Sequence, residues 1–310
     1  MSRRRRPSGS SVRPRFAFIA LALGASTAAL SQEPAARVTV HVAIEDASGQ
    51  PVRGVAAASF SLDVDGAAHP IESVVPEAQP LSVILLADLS PSVNEFAGRL
   101  NGAARDFVEG LDAADRWRTG TFADRILFSR AFASGRASFR LEPRDPIVVR
   151  ERGVRGGSPV WDALYQSVEL LAEAAGRRSV VVFTDGRASG NDRGLDDVAE
   201  FAIDHAVSVS AVVPLRSFGV RQDRATVALI SPAAGLDRLT RYTGGVLLGG
   251  YDHKDDPLRR LRALAARLRA GYALTFAIPK PDARRHRLDV RVTGSGLQVR
   301  APTAFRTPDR

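Results

Sequence analysis

The feature that most constrains this chain is a set of uncharged, apolar runs in its central part. Three such runs lie at 81–86, 179–183 and 207–213. Runs of this kind are typical of central strands in a parallel sheet, because both faces of such strands are buried. Helical patterns separate the runs, and weaker strand patterns occur at 117–122 and 126–132. Strands that alternate with helices predict an α/β fold, a Rossmann-like doubly wound and mostly parallel sheet with helices on both sides.

The two ends of the chain carry a different pattern, in which apolar and polar residues alternate with a period of two. The alternating segments are 38–44, 60–64, 272–278, 288–292 and 297–299. This period is typical of half-buried strands in antiparallel sheets. We therefore expect both flanks, 36–76 and 271–306, to meet in one small discontinuous antiparallel β domain beside a central domain at 77–270.

The N-terminus has the outline of a signal peptide. Four consecutive arginines at 3–6 precede an uncharged apolar run at 16–30, and small residues at Ala29 and Ser31 predict cleavage after Ser31. The run is shorter than the ~20 residues that span a bilayer. The sequence predicts an exported protein that is periplasmic, cell-surface or secreted, with no membrane span beyond a possible uncleaved signal anchor.

Net charge argues against a nucleic-acid partner once the leader is considered. The chain has 43 Lys and Arg against 34 Asp and Glu, a formal charge of +9. Residues 1–31 contribute six arginines and no acid, which leaves +3 on the rest. The chain has no cysteine, so disulfides and thiolate metal sites are excluded. We expect no nucleic acid among its partners.

Polar residues follow the central strands at the points where a ligand would bind. Asp88, Ser90 and Ser92 follow the first strand, and Asp185 follows the strand at 179–183. Ser158 opens the helix that precedes the second of these strands. The carboxyl ends of parallel strands share one edge of a sheet, and ligands bind there in open α/β folds. If the two strands are neighbours from which the chain winds in opposite directions, these residues face a topological switch point.

The predicted site offers two carboxylates and three hydroxyls, with no histidine and no thiolate. Such oxygen donors suit hard cations, Mg²⁺ foremost with Mn²⁺ or Ca²⁺ as alternatives. No base or nucleophile accompanies them, so we expect no catalytic residues. Taken singly, each residue also has a structural interpretation: Asp88 can end a strand, Ser158 can cap a helix, and Asp185 can begin a turn.

The three segments together resemble the metal-ion-dependent adhesion site of von Willebrand factor A (VWA) domains. The matching residues are Asp-Leu-Ser-Pro-Ser at 88–92, Gly-Gly-Ser-Pro-Val-Trp-Asp-Ala-Leu at 156–164 and Val-Val-Val-Phe-Thr-Asp-Gly at 180–186. The flanks resemble those of secreted bacterial VWA-related proteins first grouped from acidobacteria. Position 158, usually Thr in the family, is Ser here.

The resemblance implies a role for each site residue. Ser90, Ser92 and Ser158 would coordinate the metal directly, while Asp88 and Asp185 would act largely through water. An acidic side chain of a partner protein would complete the coordination. The function that follows is a non-enzymatic module for protein–protein interaction. A metal-assisted hydrolase at the same site and a metal-free structural module are the alternatives.

Two further segments carry expectations about structure. A helix should begin with Asp256 as its N-cap and Pro257 in its first position. Its leucines, at 258, 261, 264 and 268, share one face, and its arginines, at 259, 260, 262, 267 and 269, should form a solvated outer face. The stretch 214–235 reads as an insertion loop.

Overall fold

The structure is a computed structural model and describes residues 35–135, 139–151, 157–213, 233–249 and 257–307. The predicted leader, Asp256 and residues 214–232 of the predicted loop lie outside these ranges. Pro34–Arg310 forms one compact unit.

The described residues form fifteen strands and five α-helices. The strands are β1 (Ala36–Glu45), β2 (Phe60–Val64), β3 (Ala67–His69), β4 (Ser73–Pro76), β5 (Leu81–Asp88), β6 (Arg116–Phe122), β7 (Arg125–Ser129), β8 (Pro146–Glu151), β9 (Arg177–Phe183), β10 (Val207–Val213), β11 (Leu247–Gly249), β12 (Tyr272–Ile278), β13 (Arg285–Val292), β14 (Gln298–Arg300) and β15 (Ala304–Arg306). The helices are α1 (Asn94–Glu109), α2 (Val160–Ala172), α3 (Leu195–Asp204), α4 (Ala233–Thr243) and α5 (Leu261–Arg269).

The central sheet has seven strands in the order β11-β10-β9-β5-β6-β7-β8. The five strands from β11 to β6 are parallel. β7 pairs antiparallel with β6, and β8 pairs antiparallel with β7, so β8 again runs in the direction of the five. Every residue of β5 is buried, as the uncharged apolar run predicts. The predicted α/β fold with a mostly parallel sheet is confirmed.

Helices cover both faces of this sheet. Val83 and Leu85 of β5 face a core that includes α1 and α5. Ile84 and Leu86 of the same strand face a second core, built with α2, α3 and α4. Alternate residues of one strand thus serve two helical layers, which is why the strand sequence contains no polar face.

The flanking strands form two four-stranded antiparallel sheets. Their orders are β14-β1-β12-β4 and β15-β13-β2-β3, so each sheet combines strands from both ends of the chain. The two sheets share one apolar core, in which the rings of Phe60 and Tyr272 lie 5.3 Å apart. Asp65 and Gly66, with φ of 53° and 84°, form the two-residue turn between β2 and β3. The domain boundaries at 76/77 and 270/271 stay a prediction.

Several local predictions need correction. Residues Pro257–Arg260 form a 3-10 turn, and the α-helix begins only at Leu261. Residues 233–235 belong to α4 rather than to a loop. Two of the arginines predicted on a solvated face are ion-paired instead: Arg267 contacts Glu45, and Arg269 contacts Asp115 at 3.0 Å. These acids lie far from the helix in sequence, so the helical pattern alone gives no sign of them.

Candidate metal centre

The predicted site residues lie where the direction of winding reverses. β5 and β9 are hydrogen-bonded neighbours. From β5 the chain continues through α1 to β6 on one side, and from β9 it continues through α3 to β10 on the other. The crevice between the carboxyl ends of β5 and β9 is therefore a topological switch point, the usual ligand position in open α/β sheets.

Asp88 is the centre of the hydrogen-bond network at this point. It is the last residue of β5, and only 1% of its surface is exposed. Its Oδ1 accepts a hydrogen bond from the Ser90 amide at 2.8 Å. Its Oδ2 accepts from the Ser158 hydroxyl at 3.1 Å and from the Thr184 hydroxyl at 2.6 Å. One carboxylate thus joins the three loops that the sequence placed at this edge.

The serine pair after β5 leads from this buried network towards solvent. Ser90 is buried and Ser92 is exposed, and their Oγ atoms lie 3.1 Å apart. Two hydroxyls at this separation can bind a single cation. Ser92 is the site residue that solvent, and hence an external ligand, reaches most easily.

Asp185 is buried beside this network, but its carboxylate contacts Arg187 rather than the network. Its Oδ1 accepts from the Arg187 amide at 2.9 Å, and its Oδ2 lies 3.6 Å from Nε of the exposed Arg187 side chain. Among the described residues it has no hydrogen bond to the other four predicted ligands. The structure thus unites Asp88, Ser90, Ser92 and Ser158, and places Asp185 one residue beyond Thr184.

The electrostatics of Asp88 fit a bound cation. Burial raises the pKa of this carboxyl, and the hydrogen bonds from Thr184, Ser90 and Ser158 offset part of the effect. All of its donors in the described part of the chain are neutral. A buried carboxylate is unfavourable unless a cation or several donors compensate it. The oxygen-only donor set and this unpaired charge both fit a hard divalent ion.

Four residues position the site although the sequence predicted no role for them: Thr184 and Asp162, which lie within the matched segments, and Ser189 and Asn191, which lie outside them. Thr184 holds Asp88, as described above. The Ser189 hydroxyl accepts from the Ser158 amide at 3.0 Å, and Asn191 Oδ1 accepts from the amide of Trp161 at 2.8 Å, at the start of α2. The loop after β9 therefore supplies the cap that was expected from Ser158, whose hydroxyl bonds Asp88 instead. A cluster of hydroxyl and amide residues at 184–191 was the available sequence signal.

Asp162 is the fourth and anchors the same loop from α2. It is 1% exposed and accepts from the amides of Asp192 at 2.9 Å and Arg193 at 3.0 Å. It also forms an ion pair with Arg150 of β8. This buried carboxylate has an arginine partner, in contrast to Asp88.

The described residues lack both a cluster of typical metal ligands and a membrane-spanning helix. They contain no group of three or more His, Cys, Asp or Glu side chains placed to hold a metal ion. The candidate centre thus depends on hydroxyl oxygens as well as on carboxylates. No helix in the described ranges is both long enough and apolar enough to cross a membrane.

Comparisons with known proteins add similarities of fold. No protein-family model and no curated protein matches the chain. Solved structures that resemble it include the von Willebrand factor type A protein of Catenulispora acidiphila, with 10% identity, 89% of this chain and 75% of that chain covered, and a TM-score of 0.42. An aerotolerance-related membrane protein of Bacteroides fragilis has 16% identity, coverage of 61% and 98%, and a TM-score of 0.41. Proximal thread matrix protein 1 of the mussel byssus, with a zinc-occupied MIDAS motif, has 14% identity, coverage of 64% and 48%, and a TM-score of 0.39.

Similarities at these identities and TM-scores give no information about ligands. The class of domain is therefore argued from the sheet order and the site of this chain. Its sheet order and switch point define an open α/β domain with a ligand crevice between β5 and β9. The three segments around Asp88, Ser158 and Asp185, which resemble the adhesion site of VWA domains, lie at this crevice. Membership of the secreted acidobacterial-type group stays a prediction.

Proposed function

We propose that this chain is an exported binding module that grips an acidic side chain of a partner protein through a divalent cation. The observation that carries the proposal is Asp88, a buried carboxylate whose described donors are all neutral. Mg²⁺ is the foremost candidate, with Mn²⁺ or Ca²⁺ as alternatives.

The resemblance to the VWA adhesion site implies a role for each residue. Ser90, Ser92 and Ser158 would hold the cation directly, while Asp88 and Asp185 would act through water. When bound, the cation would supply a coordination position for a carboxylate oxygen from outside. Carboxylates that act through water leave more positive charge at that position. The exposed Ser92 marks the side from which a partner would approach.

We also propose that the module is not an enzyme. The described histidines, at 41, 69, 205 and 286, lie on other elements than the loops around Asp88. A hydrolase at this site would have to use Asp88 or Asp185 as its base. Turnover of phosphoesters that depends on Mg²⁺ and is lost in Asp88→Ala would contradict the proposal.

Isothermal titration with MgCl₂ tests metal use directly. We expect saturable heat with the unmodified chain and none with Asp88→Ala. Asp145→Ala is the matched control, because Asp145 is an exposed acid whose ion-pair partner, Arg130, is not a site residue. Absence of metal-dependent heat in the unmodified chain would overturn the metal proposal.

One observation favours a metal-free module as the second candidate. The Ser158 and Thr184 hydroxyls already satisfy Oδ2 of Asp88 without a cation. Capture of partners from an envelope fraction separates the two candidates. Capture in Mg²⁺ that EDTA abolishes supports the metal-dependent module, and equal capture in both buffers supports the metal-free one.

A further inference from the structure

A cavity of about 130 Å³ lies at the opposite edge of the parallel sheet from Asp88. Its floor includes Arg177 and Arg178, the first residues of β9, and Val207 and Ser208, the first residues of β10. Residues 38–43 of β1 close it on the side of the flanking sheets. The candidate metal centre and this cavity are therefore separate sites at the two ends of the same strands.

Arginines dominate the charged lining of the cavity. They are Arg177, Arg178, Arg267, Arg300 and Arg306, and Asp204 is the acid among the lining residues. Arg306 and Asp204 contact each other at 3.4 Å at the rim. The other four arginines come from β9, α5 and β14 and have partly exposed side chains.

Two of these arginines have unused hydrogen-bonding capacity. Among the described residues, the buried side-chain nitrogen or oxygen atoms without a partner are Nε of Arg178 and Nε of Arg300. The Arg178 guanidinium donates to the Ala172 carbonyl at 2.7 Å and has no ion-pair partner in the described ranges. Native proteins pair nearly all such groups, so two orphans beside one cavity are a specific signal.

The positive charge around the cavity is incompletely compensated. Glu45 is shared by Arg267 at 2.8 Å and Arg300 at 2.7 Å. Glu77 lies 3.6 Å from Arg177. Glu45 and Glu77 thus form ion pairs with three of the arginines. Asp115 and Glu173 attract Arg177 and Arg178 only from further away.

The ionisation of these arginines reflects the same imbalance. Burial lowers the pKa of Arg177, Arg178 and Arg300. Nearby carboxylates offset part of this effect on the pKa: Glu77 and Asp115 at Arg177, Glu173 at Arg178 and Glu45 at Arg300. The charge of Arg300 lowers the pKa of Arg177, and the charge of Arg267 lowers the pKa of Arg300. An anion in the cavity would relieve this repulsion.

The size and the apolar walls of the cavity define the anion further. Ala202, Ala206, Leu268 and Pro302 contribute to its lining. An apolar protein cavity of ~150 Å³ accommodates benzene. The available volume therefore suits a molecule of about that size, with one charged end facing the guanidinium groups and an apolar body against the aliphatic walls.

We propose that this cavity binds a small organic carboxylate with a compact apolar body, held through Arg178 and its neighbouring arginines. Guanidinium groups bind carboxylates through paired, charge-assisted hydrogen bonds. The site is independent of the proposed metal-dependent function, because it uses none of the same residues and faces the other edge of the sheet.

Isothermal titration of the chain in EDTA with acetate, butyrate and benzoate tests the proposal. Butyrate or benzoate should bind, while benzyl alcohol and inorganic phosphate should bind at least ~10-fold more weakly, because each lacks one of the two features that the cavity recognises. Arg178→Met should weaken carboxylate binding by at least ~10-fold, the loss expected for a charge-assisted hydrogen bond. Arg291→Met is the matched control, since Arg291 is exposed on β13 and pairs with Asp63 and Asp289.

The remaining outcomes of the titrations either overturn or support the proposed carboxylate site. Failure of all three carboxylates to bind, or equal binding by Arg178→Met, would overturn the proposal. Phosphate that binds as tightly as benzoate would overturn the assignment to an organic carboxylate. If thermal unfolding shows that Arg178→Met is misfolded, Arg178→Lys replaces it, and reduced but detectable binding supports the role of the guanidinium group.

Discussion

The two edges of the central sheet bury charge of opposite sign and treat it differently. At the carboxyl edge, Asp88 is surrounded by an amide and two hydroxyls. At the amino edge, Arg177, Arg178 and Arg300 surround a cavity with fewer carboxylates than guanidinium groups. In the described part of the chain, Asp88 has only neutral hydrogen-bond donors, and Arg178 has no ion pair.

This difference separates residues that stabilise the fold from residues available for ligands. Buried charges with full partners, such as Asp162 with Arg150 or Glu45 with Arg267, hold elements together. Among the described residues, neither Asp88 nor Arg178 has an ion pair, although Glu173 attracts Arg178 from further away. We propose that ligands supply these ion pairs. Perturbed, incompletely paired charges in crevices are a general signature of functional sites.

The largest loss of stability is expected for Glu45→Ala, which removes two ion pairs at the amino edge of the sheet. The Glu45 side chain is 6% exposed and pairs with two arginines that line the cavity. Removing one member of a buried ion pair costs about 3–5 kcal/mol, because the remaining charge stays buried. Urea denaturation measures the loss. Glu72→Ala, at the exposed pair with Arg37, should cost less than ~1 kcal/mol.

The same pair gives the stability a defined pH dependence. Burial raises the pKa of Glu45, but hydrogen bonds from Arg267 and Arg300 outweigh it, and the net pKa is lowered from 4.5. The contribution of Glu45 is therefore complete above the ordinary glutamate pKa and is lost as the pH falls through the lowered value. The stability difference between the unmodified chain and Glu45→Ala should stay constant down to about pH 5 and narrow below it. A difference that grows on acidification would contradict this assignment.

A smaller loss of stability is expected for Asp162→Ala, which removes the contacts that hold the 189–193 loop at the carboxyl edge. This change removes the partner of Arg150 and the acceptor of the Asp192 and Arg193 amides. We expect a loss of about 3 kcal/mol, at the lower end for a buried pair. Hydrogen exchange should show faster exchange of the 189–193 amides. Asp145→Ala is again the control, and unchanged protection of that loop would contradict the role of Asp162.

The smallest loss of stability is expected for substitutions of Ser158. They separate the contribution of this residue to stability from its contribution to Mg²⁺ binding. Ser158→Ala loses the hydrogen bond to Asp88, worth about 1 kcal/mol. It should nevertheless weaken Mg²⁺ binding measurably, while Ser158→Thr keeps the hydroxyl and retains binding. Titration calorimetry and thermal unfolding together separate the two effects. Equal Mg²⁺ affinity in all three proteins would exclude Ser158 as a ligand.

The central strands could be predicted because burial on both faces leaves a clear record in sequence. β5, β9 and β10 appear as uncharged runs. β4 and β8 have no such record: β4 is largely exposed and β8 is the last strand of its sheet, so packing constrains their sequences less.

The candidate metal site was predictable in part for a related reason. Asp88 and Asp185 follow strands, and the order of strands brings such residues to one edge. The contacts of Ser189, Asn191 and Asp162 join two loops about 30 residues apart, which no local pattern encodes. The arginine cavity was missed entirely, because β9, α5 and β14 contribute one or two residues each and the helix alone suggested a solvated face.

The pairing of the two flanks has a consequence for how the chain folds. Thr39 of β1 and Thr275 of β12 are hydrogen-bonded partners although 236 residues separate them. Contacts between such distant segments form slowly, because the intervening chain must first become compact. We therefore expect β1 to remain without its partner until almost the whole polypeptide has been synthesised. The two outer sheets should therefore close late in folding, after the strands of the central sheet have been synthesised.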